Sequence, residues 1–346
     1  MKEHIDGPQG ALVRVAVDAM GGDRGPEVLV RGAVEAARRL PLELILVGAR
    51  EQLEPILERV DPPANVRLRH ASDVIAMGAH PVEAVKKQRD SSIVVAANMV
   101  KEGEADALVS AGSTGAAMAC SLLTWGRIPG IERPAISTLL PTRRGISILL
   151  DAGAQVDCRP KHLCQFAVMG SLYAEKVLGI ATPKVGLLSN GEEEAKGSEA
   201  VREAHAILKS LGSVHFIGNV EGRDIFPGKA DVVVCDGFVG NVVLKFAESM
   251  GQALIEFLQE AVSRNALTKA AGAVLRPALR DLRKRMDYAE YGGAPLLGVQ
   301  GVCIISHGAS DEKAIMNAVR VARESVMARV VEAIAANVGE NGRWGA

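Results

Sequence analysis

Val13-Arg14-Val15-Ala16-Val17-Asp18-Ala19-Met20-Gly21-Gly22-Asp23 is an aliphatic run that empties into a glycine-rich turn. Residues 27–39 then space their apolar positions as a helix does, and residues 42–47 are aliphatic again. The same unit recurs. Aliphatic runs lie at 107–109, 146–150, 185–188, 214–217, 232–234 and 302–305, with amphipathic stretches at 161–177, 199–209 and 313–336. Short strands apolar on both faces, alternating with helices, predict a three-layer α/β/α domain built on a mostly parallel sheet. With 3% aromatic residues, the core must be packed from Val, Leu, Ile and Ala.

At 346 residues and 48% hydrophobic content the chain can bury one large core or two moderate ones. We expect one two-lobed domain over residues 12–340, a frayed lead-in at 1–11 and a tail at 341–346. Residues 261–288 interrupt the rhythm and read as a helical arm, helix-turn-helix, broken near Pro277. A net charge of -1 argues against a nucleic-acid binder. Five scattered cysteines without CxxC spacing read as reduced thiols, and no apolar leader or eighteen-residue apolar span is present. A cytoplasmic protein is expected.

Nearly every aliphatic run ends in a loop of Gly, Asp, Asn or Ser, and in open α/β folds ligands bind outside the carboxyl ends of the strands. Gly21 and Gly22 after Asp18 either form a tight turn or let backbone approach a ligand. Gly112, Ser113, Thr114 and Gly115 open a helix, so they either cap it or cradle an anion on its N–H groups. Asp151 and Asp157, with Arg159, follow another strand. The segment 189–198 carries Asn190, three glutamates and Lys196; it is no Walker loop, because its order is Lys196-Gly197-Ser198. Asp236, Gly237, Gly240 and Asn241 precede one more helix. His307 lies in a strand-end loop, where a lone histidine is as readily structural. No dinucleotide fingerprint, zinc motif or nucleophile elbow occurs, so the residues alone stop at an enzyme that binds a phosphate-like anion.

Taken in order, residues 15–23, 110–116, 151–160, 218–224, 236–241 and 291–298 resemble the phosphate acyltransferase (PlsX) family, from about residue 13 to residue 335. Ser113 stands where that family usually has Asn, and Ser189-Asn190-Gly191-Glu192-Glu193 where Asn-Val/Ile-Gly-Thr/Glu-Glu is usual; Lys196-Gly197 and Asp236-Gly237 match. The resemblance implies a fold like the isocitrate and isopropylmalate dehydrogenases and the phosphotransacetylases, and a homodimer. It implies transfer of a long-chain acyl group from acyl carrier protein to inorganic phosphate, giving acyl phosphate for a downstream membrane glycerol-3-phosphate acyltransferase in phospholipid synthesis.

That chemistry needs charge neutralisation and oxyanion donors more than strong acid-base groups, and no metal or cofactor. Lys196, Asp236 and Asn241 are the expected catalytic residues: Lys196 holding phosphate, Asp236 orienting Lys196 or taking the phosphate proton, Asn241 donating to the oxyanion. Asp18, Gly21, Gly22, Gly112, Ser113, Thr114, Gly115, Asp151, Asn190, Gly237 and Gly240 are expected around the substrates. On the arm, Leu267, Ala271, Val274, Leu275, Ala278 and Leu282 follow helical spacing beside Lys269, Arg276, Arg280, Arg283, Lys284 and Arg285. This basic amphipathic pattern suits an anionic membrane surface, the acidic carrier protein or a dimer contact; peripheral attachment is the family's habit. Two rival readings are a phosphotransacetylase-like enzyme using acyl-CoA and a non-catalytic membrane scaffold.

Overall fold

The computed structural model describes residues 12–286 and 288–340; the expected lead-in and tail lie outside them. The chain begins β1 (Val13–Asp18), α1 (Pro26–Arg39), β2 (Leu42–Gly48), α2 (Arg50–Val60) and β3 (Val66–His70). Helices α3 (Pro81–Lys87) and α4 (Ser92–Lys101) precede β4 (Ala107–Ser110) and α5 (Thr114–Thr124). A hairpin of β5 (Ala135–Thr142) and β6 (Gly145–Leu150) leads to α6 (Pro160–Lys176), β7 (Lys184–Leu188), α7 (Glu199–Ser210) and β8 (His215–Val220). After α8 (Gly222–Ile225) and β9 (Val232–Val234) come two long helices, α9 (Gly237–Ser263) and α10 (Ala266–Met286). The chain returns through β10 (Ala294–Leu297) and β11 (Val302–Ile305) to α11 (Glu312–Met327) and α12 (Val330–Glu340).

Alternation along each strand builds the three layers. Val13, Val15 and Val17 of β1 and Leu42, Leu44 and Leu46 of β2 pack with α1, α2 and α11. Their alternates Ala16, Ile45 and Val47 pack with α3, α4 and α5 on the other face. In the second half Ile148, Leu150, Val232 and Val234 face α6 and α7, and Leu149 and Val233 face α8 and α9.

The eleven strands run in the order β3-β2-β1-β4-β11-β10-β5-β6-β9-β7-β8. From β3 to β11 all pairings are parallel, as they are from β6 to β8. The pairings β11/β10, β10/β5 and β5/β6 are antiparallel. Three reversals make the two parallel halves run in opposite senses. Register then matters: Pro295 pairs with Ile304, Leu296 with Ile136 and Ser137 with Leu150. The carboxyl end of β6 therefore lies at nearly the same level as that of β11, and the ends of the two halves meet beside β10 and β5. The mostly parallel sheet expected from the sequence is a mixed sheet whose middle is antiparallel.

The arm also differs from expectation. It is the outer part of α9 packed against α10, and α10 runs through Pro277 without a break. Pro277 is exposed, so the carbonyl left without its N–H partner faces water, and the flanking Ala, Leu and Arg favour helix. Leu267 and Val274 are 81% and 80% exposed and Leu275 is 52% exposed, while Arg276 and Arg280 line a groove with Ile255, Leu258 and Gln259 of α9. The side chains of Leu282, Arg283, Lys284 and Arg285 lie outside the described residues. No helix among the described residues is long and apolar enough to cross a membrane.

Candidate active site

At the carboxyl ends of β1 and β4, Asp18 is buried and accepts hydrogen bonds from Ser92 Oγ at 2.6 Å and Ser110 Oγ at 2.7 Å. Ser110 Oγ in turn accepts from the Gly112 N–H at 3.1 Å. Gly21 sits so close that a Cβ there would lie 2.5 Å from Asp18 Oδ2 and 3.0 Å from Gly112 Cα. Asp18 thus holds the two glycine loops together rather than reaching outward. Ser113 caps α5, its Oγ accepting from Ala116 N at 3.4 Å, so the substitution for the family's usual Asn keeps the cap. That leaves the Thr114 and Gly115 N–H groups at the positive end of an eleven-residue helix.

Burial outweighs the hydroxyl donors and raises the pKa of Asp18 above the ordinary carboxylate range. The folded chain then keeps this proton to higher pH than the unfolded chain does. The contribution of the group to stability is full at low pH and is lost as pH rises through its folded-state pKa. The stability difference between wild type and Asp18→Asn, from urea unfolding between pH 4 and pH 8, is expected to shrink with rising pH. A difference that grows would mean a stabilised, ionised Asp18.

In the second half, Asp151 is wrapped by its own loop. Its carboxylate accepts from the N–H groups of Ile136, Gly153, Ala154 and Gln155 at 2.7–3.0 Å. Next to it Asp236 caps α9, accepting from Val239 N at 2.8 Å. Gly237 and Gly240 bring α9 down on the Asp151 loop: Gly237 N donates to Gln155 O at 2.7 Å. Asn241 lies against Gly153, and its amide has no hydrogen-bond partner among the described residues. Burial pushes the neighbouring Cys158 thiol up to about 12, so it is no thiolate nucleophile near neutral pH.

Asn190 closes the loop after β7, its Oδ1 accepting from Gly197 N at 2.9 Å. Glu192 pairs with Lys229 at 2.8 Å, and Glu194 with Lys209. Lys196 is exposed, its stem against Gly191, and forms no ion pair among the described residues. It is therefore not oriented by Asp236 here, whose carboxylate is engaged on α9. Sheet order nonetheless sets the β9 loop between those of β6 and β7.

Helix α9 joins the two sets of loops. It starts on the Asp151 loop, Leu244 packs against the clusters of both halves, and Glu248 comes within electrostatic reach of His307 beyond β11.

The chain matches the family described as "Fatty acid synthesis protein" over residues 13–333. It is 54% identical over 326 residues to the phosphate acyltransferase of Pelotomaculum thermopropionicum, covering 94% of this chain and 95% of that one. The chain belongs to the phosphate acyltransferase family. Among solved structures it resembles a phosphotransacetylase from Streptococcus pyogenes, with TM-score 0.63 and 20% identity over 91% of this chain and 94% of that one. It also resembles a 4-hydroxythreonine-4-phosphate dehydrogenase from Klebsiella pneumoniae, with TM-score 0.52 and 13% identity over 94% of this chain and all of that one. The fold is thus the phosphotransacetylase-like α/β/α fold.

Within this phosphate acyltransferase the expected site residues fall into groups. Asp18, Gly21, Gly22, Gly112, Ser113, Thr114 and Gly115 surround one half-sheet's ends. Asp151, Asp236, Gly237, Gly240 and Asn241 gather at the other, with Asn190 and Lys196 on its neighbouring loop. Ser92 was missed: it begins α4, far from any strand end, and its only signal was the polar Asp90-Ser91-Ser92 before an apolar helix.

Proposed function

We propose that this phosphate acyltransferase takes a long-chain acyl group from acyl carrier protein and passes it to inorganic phosphate, releasing acyl phosphate and the carrier thiol. Lys196 neutralises the incoming phosphate, and the Thr114 and Gly115 N–H groups help to cradle it. Asn241 donates to the oxyanion of the tetrahedral intermediate. Asp236 holds the start of α9 and takes the phosphate proton; Asp18 and Asp151 keep the surrounding loops in shape. The observation that carries this reading is the ammonium of Lys196, which has no ion-pair partner among the described residues, in a loop where two of the three acids, Glu192 and Glu194, are already neutralised by other lysines. Purified protein with palmitoyl-acyl carrier protein and phosphate, without added metal, should release carrier thiol together with acyl phosphate trapped by hydroxylamine. Thiol release independent of phosphate would overturn it.

The fold kinship extends, on this reading, to the isocitrate and isopropylmalate dehydrogenases, and the chain works in the cytoplasm as a homodimer. An exposed stripe along α9, Phe238, Val242, Phe246, Met250, Leu254 and Phe257, supports a protein contact there, since monomers rarely leave so long an apolar patch open. Leu267, Val274 and Leu275 with Arg276 and Arg280 supply apolar and cationic groups for an anionic membrane surface, where the product meets its membrane acyltransferase. Leu267→Glu with Leu275→Glu should lower pelleting with anionic vesicles by about tenfold or more. Unchanged pelleting would remove the arm from that role.

A further inference from the structure

Strand β8 carries a bulge. Val185 pairs with Phe216 and Leu187 with Asn219, so two steps on β7 answer three on β8, and Gly218 in between has φ +91°. Residues three apart on a regular strand point to opposite faces. The bulge, made possible by the left-handed glycine, turns Asn219 to the same side as Phe216, and both meet His205 of α7. The rings of His205 and Phe216 meet edge-on at 5.0 Å, and Asn219 Oδ1 is 3.0 Å from His205 Nδ1. Asn219 and His205 are 3% and 5% exposed, under a loop that is otherwise open to water.

The other end of the Asn219 amide leads to the site. Its Nδ2 donates to the carbonyl of Glu193 at 2.8 Å, and that same carbonyl accepts from the Lys196 backbone N–H at 3.0 Å. With the nitrogen spent on a carbonyl, Oδ1 must be the acceptor, so His205 donates from Nδ1 and turns Nε2 toward Glu194 at 3.8 Å. The Glu193 carbonyl, which can only accept, thereby fixes which way the amide points, and His205, in the Nδ1–H tautomer this requires, holds the amide oxygen in place. A buried side chain that only filled space would need neither the bulge nor a donor aimed at this one carbonyl.

We propose that Asn219, oriented by His205 and by the bulge at Gly218, is a positioning residue for phosphate: it fixes the Glu193 carbonyl that turns the chain into Lys196. The proposal rests on the reading of Lys196 as the phosphate-holding residue. Asn219→Asp tests it with the least change of shape, because the carboxylate still accepts from His205 Nδ1 but offers no donor and repels the Glu193 carbonyl.

The expected result is a phosphate KM raised about ten- to a hundredfold, with the KM for palmitoyl-acyl carrier protein within about twofold of wild type. His205→Leu should raise the phosphate KM as well, and His205→Asn, which presents an N–H at the Nδ1 position, should restore most of it. That second pair carries the test alone if Asn219→Asp fails to fold. Phosphate KM unchanged in the folded variants, or both KM values and the thermal midpoint moving together, would overturn the positioning role. Lys196→Ala measured alongside separates the two levels. If it leaves phosphate KM unchanged, the underlying reading fails. If it raises phosphate KM while Asn219→Asp does not, only the positioning role fails.

Discussion

Lys196→Ala is expected to lower kcat/KM for phosphate by about 10³-fold, part of it as a raised phosphate KM, because the lysine holds the phosphate before as well as during transfer. Stability should barely change, because the side chain is exposed, has no ion-pair partner among the described residues, and contributes to the loop through its backbone N–H, which alanine keeps. The activity loss is large because of what surrounds the lysine. Glu192 is matched by Lys229 and Glu194 by Lys209, which leaves the carboxylate of Glu193 beside Gly191 and the Lys196 stem. With Lys196 gone, a phosphate dianion would meet an uncompensated Glu193. Lys196→Arg restores the charge but with a planar, longer head, so partial recovery with a raised phosphate KM is expected. Transfer within about threefold of wild type in a well-folded Lys196→Ala would remove this residue from the mechanism.

How far the sequence disclosed this arrangement depended on whether periodicity alone could carry the information. The β1-α1-β2 unit was legible because Val13, Val15 and Val17 alternate with residues that also face helices, and three layers follow from that. The reversal in the middle of the sheet was not. β10 is four residues long and contains Pro295, and β5 ends in Pro141-Thr142, so neither gives an aliphatic run. Antiparallel pairing at that point is a matter of tertiary register, which local pattern does not encode. The sequence pattern ends β8 at Ile217, because Gly218 and Asn219 read as a loop; they are a bulge inside the strand, with Asn219 pairing on to Leu187. Pro277 reads from sequence as a helix break, but its exposure to water removes most of the cost of keeping it inside α10.

The candidate site was legible as a set of loops, but the division of labour inside it was not. Asp18, Asp151 and Asp236 all follow strands and all looked able to face substrate. Asp18 and Asp151 instead turn back on buried hydroxyls and backbone N–H groups, and Asp236 on the first turn of α9. Whether a carboxylate points at its own loop or at a ligand depends on side-chain rotamers and on neighbours brought in from far along the chain, such as Ser92. Lys196 and Asn241, whose polar heads have no partner among the described residues, are distinguished only once those other commitments are known.

Gly240→Ala should be the most damaging glycine-to-alanine change among the described residues. A Cβ at this position would lie 1.8 Å from the Asp151 carbonyl oxygen, 2.9 Å from its carbon and 3.0 Å from Cys235 Sγ. None of these atoms can easily give way. The Asp151 N–H donates to Cys235 O at 3.0 Å, and its carboxylate is fixed by four backbone N–H groups, so the loop is tied to the sheet. The start of α9 must therefore lift. Asn241 is the next residue on that helix, so lifting carries its amide away from Gly153, and the first turn can no longer press Gly237 onto Gln155. A shift of about 1 Å at such a site typically costs about 10²-fold in rate, and overpacking of this kind costs about 1–3 kcal/mol of stability. Gly222→Ala is the matched control: it stands at the start of α8 with no atom near enough to meet a new methyl, and should keep near-normal transfer. A Gly240→Ala protein with wild-type activity and thermal midpoint would mean that α9 sits farther from the Asp151 loop than this packing requires, and Asn241 would then be too far from the loop to serve the oxyanion.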